Sequence, residues 1–327
     1  MQDNKISVIL PIKSLENFKA NLLDALRNQT FNSFELIIVD ASKDGLNRNE
    51  INLDGFEKIK WVFSKNAFPG KARNAGIREA SCEIIALLDS MTVPKSTWLE
   101  NGFKALSNQK AEFVFGKCIG VSESYFSRVV KALTYGCLSF RSLPGSIFNL
   151  KALNKIGIQV ENVRAGEDIE WIQRIEYLGI KSMQPSDQNI YYYGFPSSVF
   201  KLIRKWNEYS IANAKLNILT FQKVLYFYFI SILALYFLYS WNYIFTQGQW
   251  DESSSFIPNL NTIAWSFLFG LYFFSRSILL PLRKGETFGF VLPFNWIVIG
   301  LIGLVMDIVK VPGRVYGLLR IIGIKIK

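Results

Sequence analysis

The sequence predicts an α/β domain with a mostly parallel sheet, followed by transmembrane helices. Up to about residue 215, short apolar runs typical of buried strands alternate with segments whose apolar residues recur at helical spacing. Two of these runs end in an acidic residue, at Asp40 and Asp89. After Thr220 the apolar tracts become longer than a water-soluble core requires, which indicates a membrane unit.

The strands and helices of the first domain follow from these patterns. Continuous apolar runs predict strands at residues 7–11, 34–40, 60–63 and 83–88. Helical spacing predicts helices at residues 15–29 and 70–80. We expect right-handed β-α-β connections. Pro11, Asp40 and Asp89 should then lie at one edge of the sheet, where open α/β sheets bind their ligands.

A second acidic site lies further along the chain. Residues 165–174 read Ala-Gly-Glu-Asp-Ile-Glu-Trp-Ile-Gln-Arg, which predicts a helix that begins near Glu167 and Asp168. Backbone N–H groups at a helix start favour negative charge. One of the two carboxylates can therefore face a cleft and act as a general base.

The composition of the chain limits the kinds of partner and site that it can have. The formal net charge is +11, but no zinc-ligand spacing occurs and the basic residues concentrate beside apolar tracts. We therefore expect a membrane surface as partner and no nucleic acid. The absence of histidine excludes His-based triads and His-ligated metals. Three scattered cysteines indicate a reducing compartment, and no signal peptide is expected before the first strand.

The apolar tracts predict the domain organisation. We expect a first domain at 1–198, an interfacial amphipathic helix at 199–217 and a membrane domain at 218–327. Transmembrane spans are predicted at 221–245 and 262–280. The segment between them contains two acids and no Lys or Arg, whereas Arg283 and Lys284 follow the second span. The positive-inside rule then places both flanking ends, and with them the first domain, in the cytosol.

A third apolar tract at 288–309 leaves two alternatives. Its only charged residue is Asp307, and five basic residues follow it in the C-terminal tail. A full crossing would place these charges outside. A re-entrant or interfacial tract would leave the basic tail on anionic lipid inside.

Five segments in order carry a family resemblance. They are Ser-Val-Ile-Leu-Pro at 7–11, Leu-Ile-Ile-Val-Asp-Ala-Ser-Lys-Asp-Gly at 36–45, Gly-Lys-Ala-Arg-Asn-Ala-Gly at 70–76, Leu-Leu-Asp-Ser at 87–90 and Gly-Glu-Asp-Ile-Glu-Trp-Ile-Gln-Arg at 166–174. The chain resembles an inverting glycosyltransferase of family 2, which has the Rossmann-like GT-A fold. The resemblance spans roughly residues 6–180, and several members of the family carry a membrane tail after it.

The resemblance implies a role for each matching residue. Pro11 and Asp40 would frame the nucleotide base. Arg73 would lie along the nucleotide, and Asp89 would lie near the ribose and a metal. Asp168, in its pair with Glu167, would be the catalytic base.

One departure bears on the cofactor. The second acid of the family's Asp-x-Asp motif is Met91 here, and a thioether is a poor ligand for Mg²⁺ or Mn²⁺. Asp89 would then hold a divalent metal together with the diphosphate and water. Alternatively, Lys71 and Arg73 would neutralise the leaving group.

The resemblance implies sugar transfer from a nucleoside-diphosphate sugar, with UDP-sugars favoured. Processive synthases of the family carry Gln-x-x-Arg-Trp where this chain has Leu202, Lys205 and Trp206, and this departure argues for the addition of one sugar instead of polymerisation. The expected acceptor is a lipid-linked saccharide or other membrane-proximal group, or a polyprenyl phosphate, at the cytosolic face of a bacterial inner membrane. The expected pathway is cell-envelope polysaccharide or glycolipid synthesis. Two alternatives stay open: a polyprenyl-phosphate sugar synthase, and a non-catalytic membrane scaffold that keeps the fold and binds nucleotide.

Overall fold

The computed structural model describes residues 5–216 except 20 and 109, the single positions 218, 224 and 228, and residues 260–321. The chain divides into two compact units. The first comprises residues 1–131 and 135–198, and the second comprises residues 132–134 and 199–327.

The first unit is built on one mixed β-sheet. Its described strands are β1 (Ile6–Ile12), β2 (Phe34–Asp40), β3 (Ile59–Phe63), β4 (Ile84–Leu87), β5 (Thr92–Pro94), β6 (Phe113–Gly120), β7 (Phe140–Asn149), β8 (Ser182–Met183) and β9 (Ile190–Tyr192). The order is β3-β2-β1-β4-β7-β6-β9-β5, and β8 pairs with β6. Strands β1 to β4 are parallel, whereas β7 runs antiparallel to β4 and β6. The predicted α/β class is confirmed.

Helices pack on both faces of this sheet. They are α1 (Asn21–Arg27), α2 (Pro69–Arg78), α3 (Trp98–Ser107), α4 (Tyr125–Leu133), α5 (Leu150–Ile156) and α6 (Glu167–Tyr177). Strand β1 is buried on both faces: Leu10 belongs to one apolar cluster with Trp98, and Ile9 belongs to the other with Phe113 and Trp171. Burial on both faces explains why the parallel strands are continuous apolar runs in the sequence.

The predicted strands and the helix at 70–80 appear as β1 to β4 and α2, but the helix predicted at 15–29 was wrong in its first half. Only a short 3-10 turn forms at Leu15–Asn17, and α1 begins at Asn21. Phe18 has an extended backbone. The next N–H, that of Lys19, donates to the Ser90 carbonyl at 3.0 Å instead of to a helical turn. A tertiary hydrogen bond therefore replaces the helix that the apolar spacing favours.

The second unit is helical over its described residues. Its elements are α7 (Val199–Lys215), a helix at Leu260–Phe274, a π-helical turn at Ser275–Leu279, and helices at Leu280–Arg283, Phe288–Val291, Asn295–Val309 and Val311–Ile321. The segment predicted as an interfacial helix is thus helical as α7. It packs closely on the last of these helices, since a Cβ at Gly313 would lie 2.4 Å from the Ser210 Oγ.

Among the described residues, one helical run is long and apolar enough to cross a membrane: Asn295–Leu319, which joins the last two helices across Lys310 and has 25 residues and a mean hydropathy of 1.8. This result rests on length and composition. The predicted span 262–280 is helical. The predicted span 221–245 lies outside the described residues apart from 224 and 228, and so does the end of the basic tail. The number of crossings stays a prediction.

Charged side chains within the apolar helices of the second unit bind one another. The Nε of Arg276 donates to Oδ2 of Asp307 at 2.8 Å, and the Tyr272 hydroxyl donates to the same oxygen at 3.0 Å. The Nζ of Lys310 lies 3.1 Å from Oδ1 of Asp307. Such pairing is what charges in an apolar environment require.

Gly76 of α2 lies directly against the sheet. A Cβ at this position would lie 2.5 Å from Cγ2 of Ile9 and 2.9 Å from Cγ2 of Val39. We expect Gly76→Ala to lower the free energy of unfolding by about 1–3 kcal/mol, because the buried strands have little room to move. Urea unfolding followed by tryptophan fluorescence measures this change.

Gly270→Ala is the matched control, since the described structure places no atom within 4 Å of a Cβ there. We expect it to be neutral, or stabilising by about 0.5–1 kcal/mol through helix propensity. Equal losses from both substitutions would contradict the packing explanation.

Candidate active site

The carboxyl ends of β2, β1 and β4 meet at one edge of the sheet. Parallel pairing aligns Asp40, the last residue of β2, with Ile12 at the end of β1. On the other side β1 pairs with β4, and Asp89 follows β4 by two positions. Pro11 lies half-buried in β1. The structure therefore brings Pro11, Asp40 and Asp89 to the same edge.

The Asp40 carboxylate is buried and binds the loop that follows β2. Its Oδ1 accepts from the Ser42 N–H at 3.0 Å, and its Oδ2 accepts from the Leu46 N–H at 2.7 Å. The Ser42 Oγ accepts from the Gly45 N–H at 3.0 Å. Asp40 thus holds the shape of this loop, and its contact with a nucleotide base stays a prediction.

Arg73 is the centre of the site. Its side chain is 4% exposed. Nη2 donates to Oδ1 of Asp89 at 2.8 Å, and Nη1 donates to Oε1 of Glu167 at 3.1 Å and to Oε1 of Gln159 at 3.2 Å. One guanidinium therefore connects α2, the segment after β4, the loop before α6 and the first residue of α6.

The neighbouring Asn74 fixes the loop between α5 and α6. Its Nδ2 donates to the Gln159 carbonyl at 2.8 Å and to Oε1 of Glu161 at 3.0 Å, and its Oδ1 accepts from the Gln159 N–H at 3.1 Å. Gly70 allows this loop to approach α2, since a Cβ there would lie 2.2 Å from the Val160 carbonyl oxygen.

The two acids at the start of α6 have different environments. Gly166, with φ of +88°, turns the chain into the helix, and only glycine adopts this conformation readily. Glu167 is 5% exposed and paired with Arg73. Asp168 is half-buried, and its Oδ1 accepts from the Ile169 N–H at 2.8 Å. Asp168 is therefore the more accessible of the two predicted catalytic carboxylates.

Burial has the largest effect on the pKa values of Glu167 and Asp168. It raises the pKa of Glu167 to about 7, against the opposing charge of Arg73. Burial also raises the pKa of Asp168, again opposed by Arg73. Burial alone would lower the pKa of Arg73, but Asp89 and Glu167 raise it above its usual value, so the guanidinium stays charged. The centre thus combines a fixed cation with two acids that take up protons more readily than ordinary carboxylates.

The residues around Asp89 limit metal binding. One third of the Asp89 side chain is exposed, and one of its oxygens binds Arg73. Met91 contributes its backbone carbonyl to the Tyr193 N–H at 2.9 Å. Within the described residues, no group of three or more His, Cys, Asp or Glu side chains can hold a metal. A single carboxylate fits Mg²⁺ or Mn²⁺ when a diphosphate and water supply the remaining oxygens.

Sequence reasoning missed two residues of this site. Gln159 is buried against Arg73, and its Nε2 has no hydrogen-bond partner in the described structure. Tyr135 lies near Asp168, since the charge of that carboxylate contributes to the raised pKa of Tyr135. No local pattern marks either residue. Asn74 did have a signal, since it stands in the Gly-Lys-Ala-Arg-Asn-Ala-Gly segment.

Residues 7–160 match the family model described as Glycosyl transferase family 2. The match covers slightly less than half of the chain. Arg73 and Asp89 lie inside the matched segment, whereas Glu167 and Asp168 lie just beyond it.

Curated relatives match only part of their own length. The chain is 26% identical over 182 residues to an uncharacterized glycosyltransferase of Rickettsia bellii, covering 51% of this chain and 26% of that protein. It is 29% identical over 126 residues to the glycosyltransferase GlyA of Streptococcus pneumoniae, covering 37% of this chain and 18% of that one. The chain therefore spans about a quarter or less of the length of these relatives.

A solved structure supports the fold. The mannosyltransferase PcManGT from Pyrobaculum calidifontis, in complex with GDP-Man and Mn²⁺, superposes with a TM-score of 0.53 at 14% sequence identity. The superposition covers 95% of this chain and 87% of that one. The predicted GT-A fold is confirmed.

The raised pKa of Glu167 predicts a pH-dependent stability. The folded state binds the Glu167 proton up to about pH 7, whereas the unfolded state releases it near 4.5. The folded state therefore holds more protons in this window, and this residue's contribution to stability falls as the pH rises from about 4.5 to 7. We expect Glu167→Gln to remove this pH-dependent loss of stability.

Urea unfolding of wild type and variant at several pH values between 4 and 8 measures the difference. Glu170→Gln is the matched control, because Glu170 is a partly buried acid on the same helix, paired with Arg174. A difference between wild type and Glu167→Gln that stays constant with pH would contradict the assignment.

Proposed function

We propose that the chain transfers one sugar from a nucleoside-diphosphate sugar to an acceptor hydroxyl, with inversion at the anomeric carbon. The observation that carries this proposal is the placement of an accessible, half-buried Asp168 beside the Arg73–Asp89–Glu167 network, at the carboxyl ends of the parallel strands. The family match of residues 7–160 and the fold support it.

The proposed step is a single displacement. The acceptor oxygen attacks the anomeric carbon as the bond from that carbon to the diphosphate oxygen breaks. The acceptor proton moves to Asp168, and the nucleoside diphosphate leaves. A carboxylate with a raised pKa suits this role, because it holds the transferred proton more firmly than an ordinary aspartate does.

Arg73 and Glu167 position the other groups in this proposal. The guanidinium is bound by two carboxylates and an amide, so it fixes Asp89 and the start of α6 relative to each other. Glu167 is buried in this network and orients Arg73, whereas its neighbour Asp168 meets the acceptor. Asp168 is thus the base, and Glu167 supports it.

The leaving diphosphate needs positive charge. The charge of Arg73 is largely matched by Asp89 and Glu167, whereas Lys71, two residues earlier on α2, is exposed. Asp89 would hold a divalent cation of the kind present in the PcManGT complex. Such a cation supplies charge to the diphosphate oxygens when bound. In this proposal Lys71 supplies the rest of the positive charge that the diphosphate needs.

The finer identity of the substrates is also proposed. UDP-sugars are the favoured donors, by resemblance of the base-binding segments. A basic, apolar C-terminal unit with one helix able to cross a membrane supports an acceptor at the cytosolic face of a bacterial inner membrane. The product would serve cell-envelope polysaccharide or glycolipid synthesis.

Asp168→Asn tests the proposed base. We expect the transfer rate to fall by about 10²- to 10⁴-fold, because the acceptor proton loses its carrier, while nucleotide affinity stays within about twofold. The measurement is release of nucleoside diphosphate from a panel of UDP-, GDP- and dTDP-sugars by the full chain in detergent. Glu170→Gln on the same helix should retain the wild-type rate.

Full activity of Asp168→Asn would rule out this residue as the base. Nucleotide binding by the wild type without turnover of any donor would favour the non-catalytic scaffold instead.

Metal removal tests the proposed role of Asp89. We expect EDTA to lower nucleotide release and millimolar Mn²⁺ to restore it, since a single protein carboxylate binds such a cation weakly. Met91→Asp should lower the Mn²⁺ concentration required by about tenfold, because it adds a hard oxygen ligand. Met91→Leu is the matched control. Equal activity with EDTA and with Mn²⁺ would show that basic side chains neutralise the leaving group.

A further inference from the structure

Four aromatic side chains form a cluster in the first unit. The ring of Tyr135 stacks on that of Phe140, with centroids 3.9 Å apart and an interplanar angle of 11°. Tyr192 and Phe195 meet the Tyr135 ring at 86° and 61°, each with a centroid distance of 6.3 Å. Tyr192 and Phe195 also contact each other at 5.4 Å. Three rings therefore hold Tyr135 in one orientation.

Tyr135 remains 45% exposed in spite of these contacts. Phe140 covers one face of the ring, and the exposed part of the side chain is available to a ligand. A tyrosine ring that is already fixed offers a large contact area at a low cost in conformational entropy.

The cluster lies beside the catalytic carboxylates. Tyr192 pairs in register with Thr92, three residues after Asp89, through the β5–β9 ladder. Asp168 is close enough for its charge to act on the Tyr135 hydroxyl, which stays protonated and can donate a hydrogen bond. The hydroxyl is therefore a hydrogen-bond donor throughout the range in which a carboxylate base works.

We propose that Tyr135 is the platform on which a sugar ring of the acceptor stacks, and hence that the acceptor is a saccharide hydroxyl, not the phosphate of a bare polyprenyl phosphate. This inference rests on the proposed transferase function. The electron-rich face of an aromatic ring attracts the C–H bonds of a pyranose, which carry partial positive charge.

The carboxylates of the neighbouring Arg73 network favour the same class of acceptor. Asp168, Asp89 and Glu167 lie together, and Arg73 is the cation that they share. A second anionic group at the acceptor position would be repelled by these carboxylates. A neutral sugar ring is not repelled, and it presents a hydroxyl that can reach Asp168.

The experiment compares two kinds of acceptor probe and three variants of the full chain in detergent. The probes are octyl β-glycosides of glucose, galactose and N-acetylglucosamine, and farnesyl phosphate. Product is measured by mass spectrometry with the donor that the wild type hydrolyses. The variants are Tyr135→Ala, Tyr135→Phe and the control Tyr177→Ala, an exposed tyrosine at the far end of α6.

We expect transfer to at least one glycoside. Tyr135→Ala should raise the KM for that glycoside by about tenfold or more, because the stacking surface is lost. Its affinity for the nucleoside diphosphate, measured separately by a binding assay, should stay within about twofold of wild type, which shows that the fold and the nucleotide site are intact. Tyr135→Phe keeps the ring and should stay within about threefold in KM, and Tyr177→Ala should match the wild type.

An unchanged glycoside KM in Tyr135→Ala would overturn the platform. So would transfer confined to farnesyl phosphate, or donor hydrolysis that no glycoside converts into transfer. These results differ from failure of the proposed function, in which the wild type itself would release no nucleotide from any donor.

Discussion

The buried charge of Arg73 is the constraint on which the site depends. A guanidinium that is 4% exposed is tolerated only when carboxylates and amides satisfy it, and removing one partner of such a pair costs about 3–5 kcal/mol. Its partners come from three separate parts of the chain: Asp89 after β4, Gln159 in the loop before α6, and Glu167 at the start of α6. Because all three bind the same guanidinium, they fix the geometry of this edge of the sheet.

This arrangement gives two adjacent acids different environments. Successive residues at the start of a helix point in directions about 100° apart, so Glu167 turns towards Arg73 and leaves Asp168 accessible. Gly166 makes the turn possible through its positive φ. The helix-start pattern of the sequence treats the two acids as equivalent, whereas in the structure one is buried against Arg73 and the other is accessible.

Local sequence patterns were sufficient to predict most of the parallel strands of the sheet. The continuous apolar runs of β1, β2 and β4 predicted these strands because burial on both faces requires such runs, and a parallel sheet then places Asp40 and Asp89 at one edge. The α6 start was predictable from its glycine and acids. The helix at 15–29 was not, because the hydrogen bond from Lys19 to Ser90 depends on a distant loop. Gln159 and Tyr135 were missed for the same reason, since their roles come from contacts across the fold.

The network around Arg73 has a consequence for how the protein is made. Arg73 and Glu167 are 94 residues apart in sequence, and Asn74 and Gln159 are 85 apart. At a synthesis rate of about 5–20 residues per second, Arg73 leaves the ribosome roughly 5 to 20 s before its second carboxylate. During that interval the β1–β4 half of the sheet has its strands but lacks the partner that makes a buried guanidinium tolerable. The edge that holds Arg73 and Asp89 therefore cannot be completed until α6 has been synthesised.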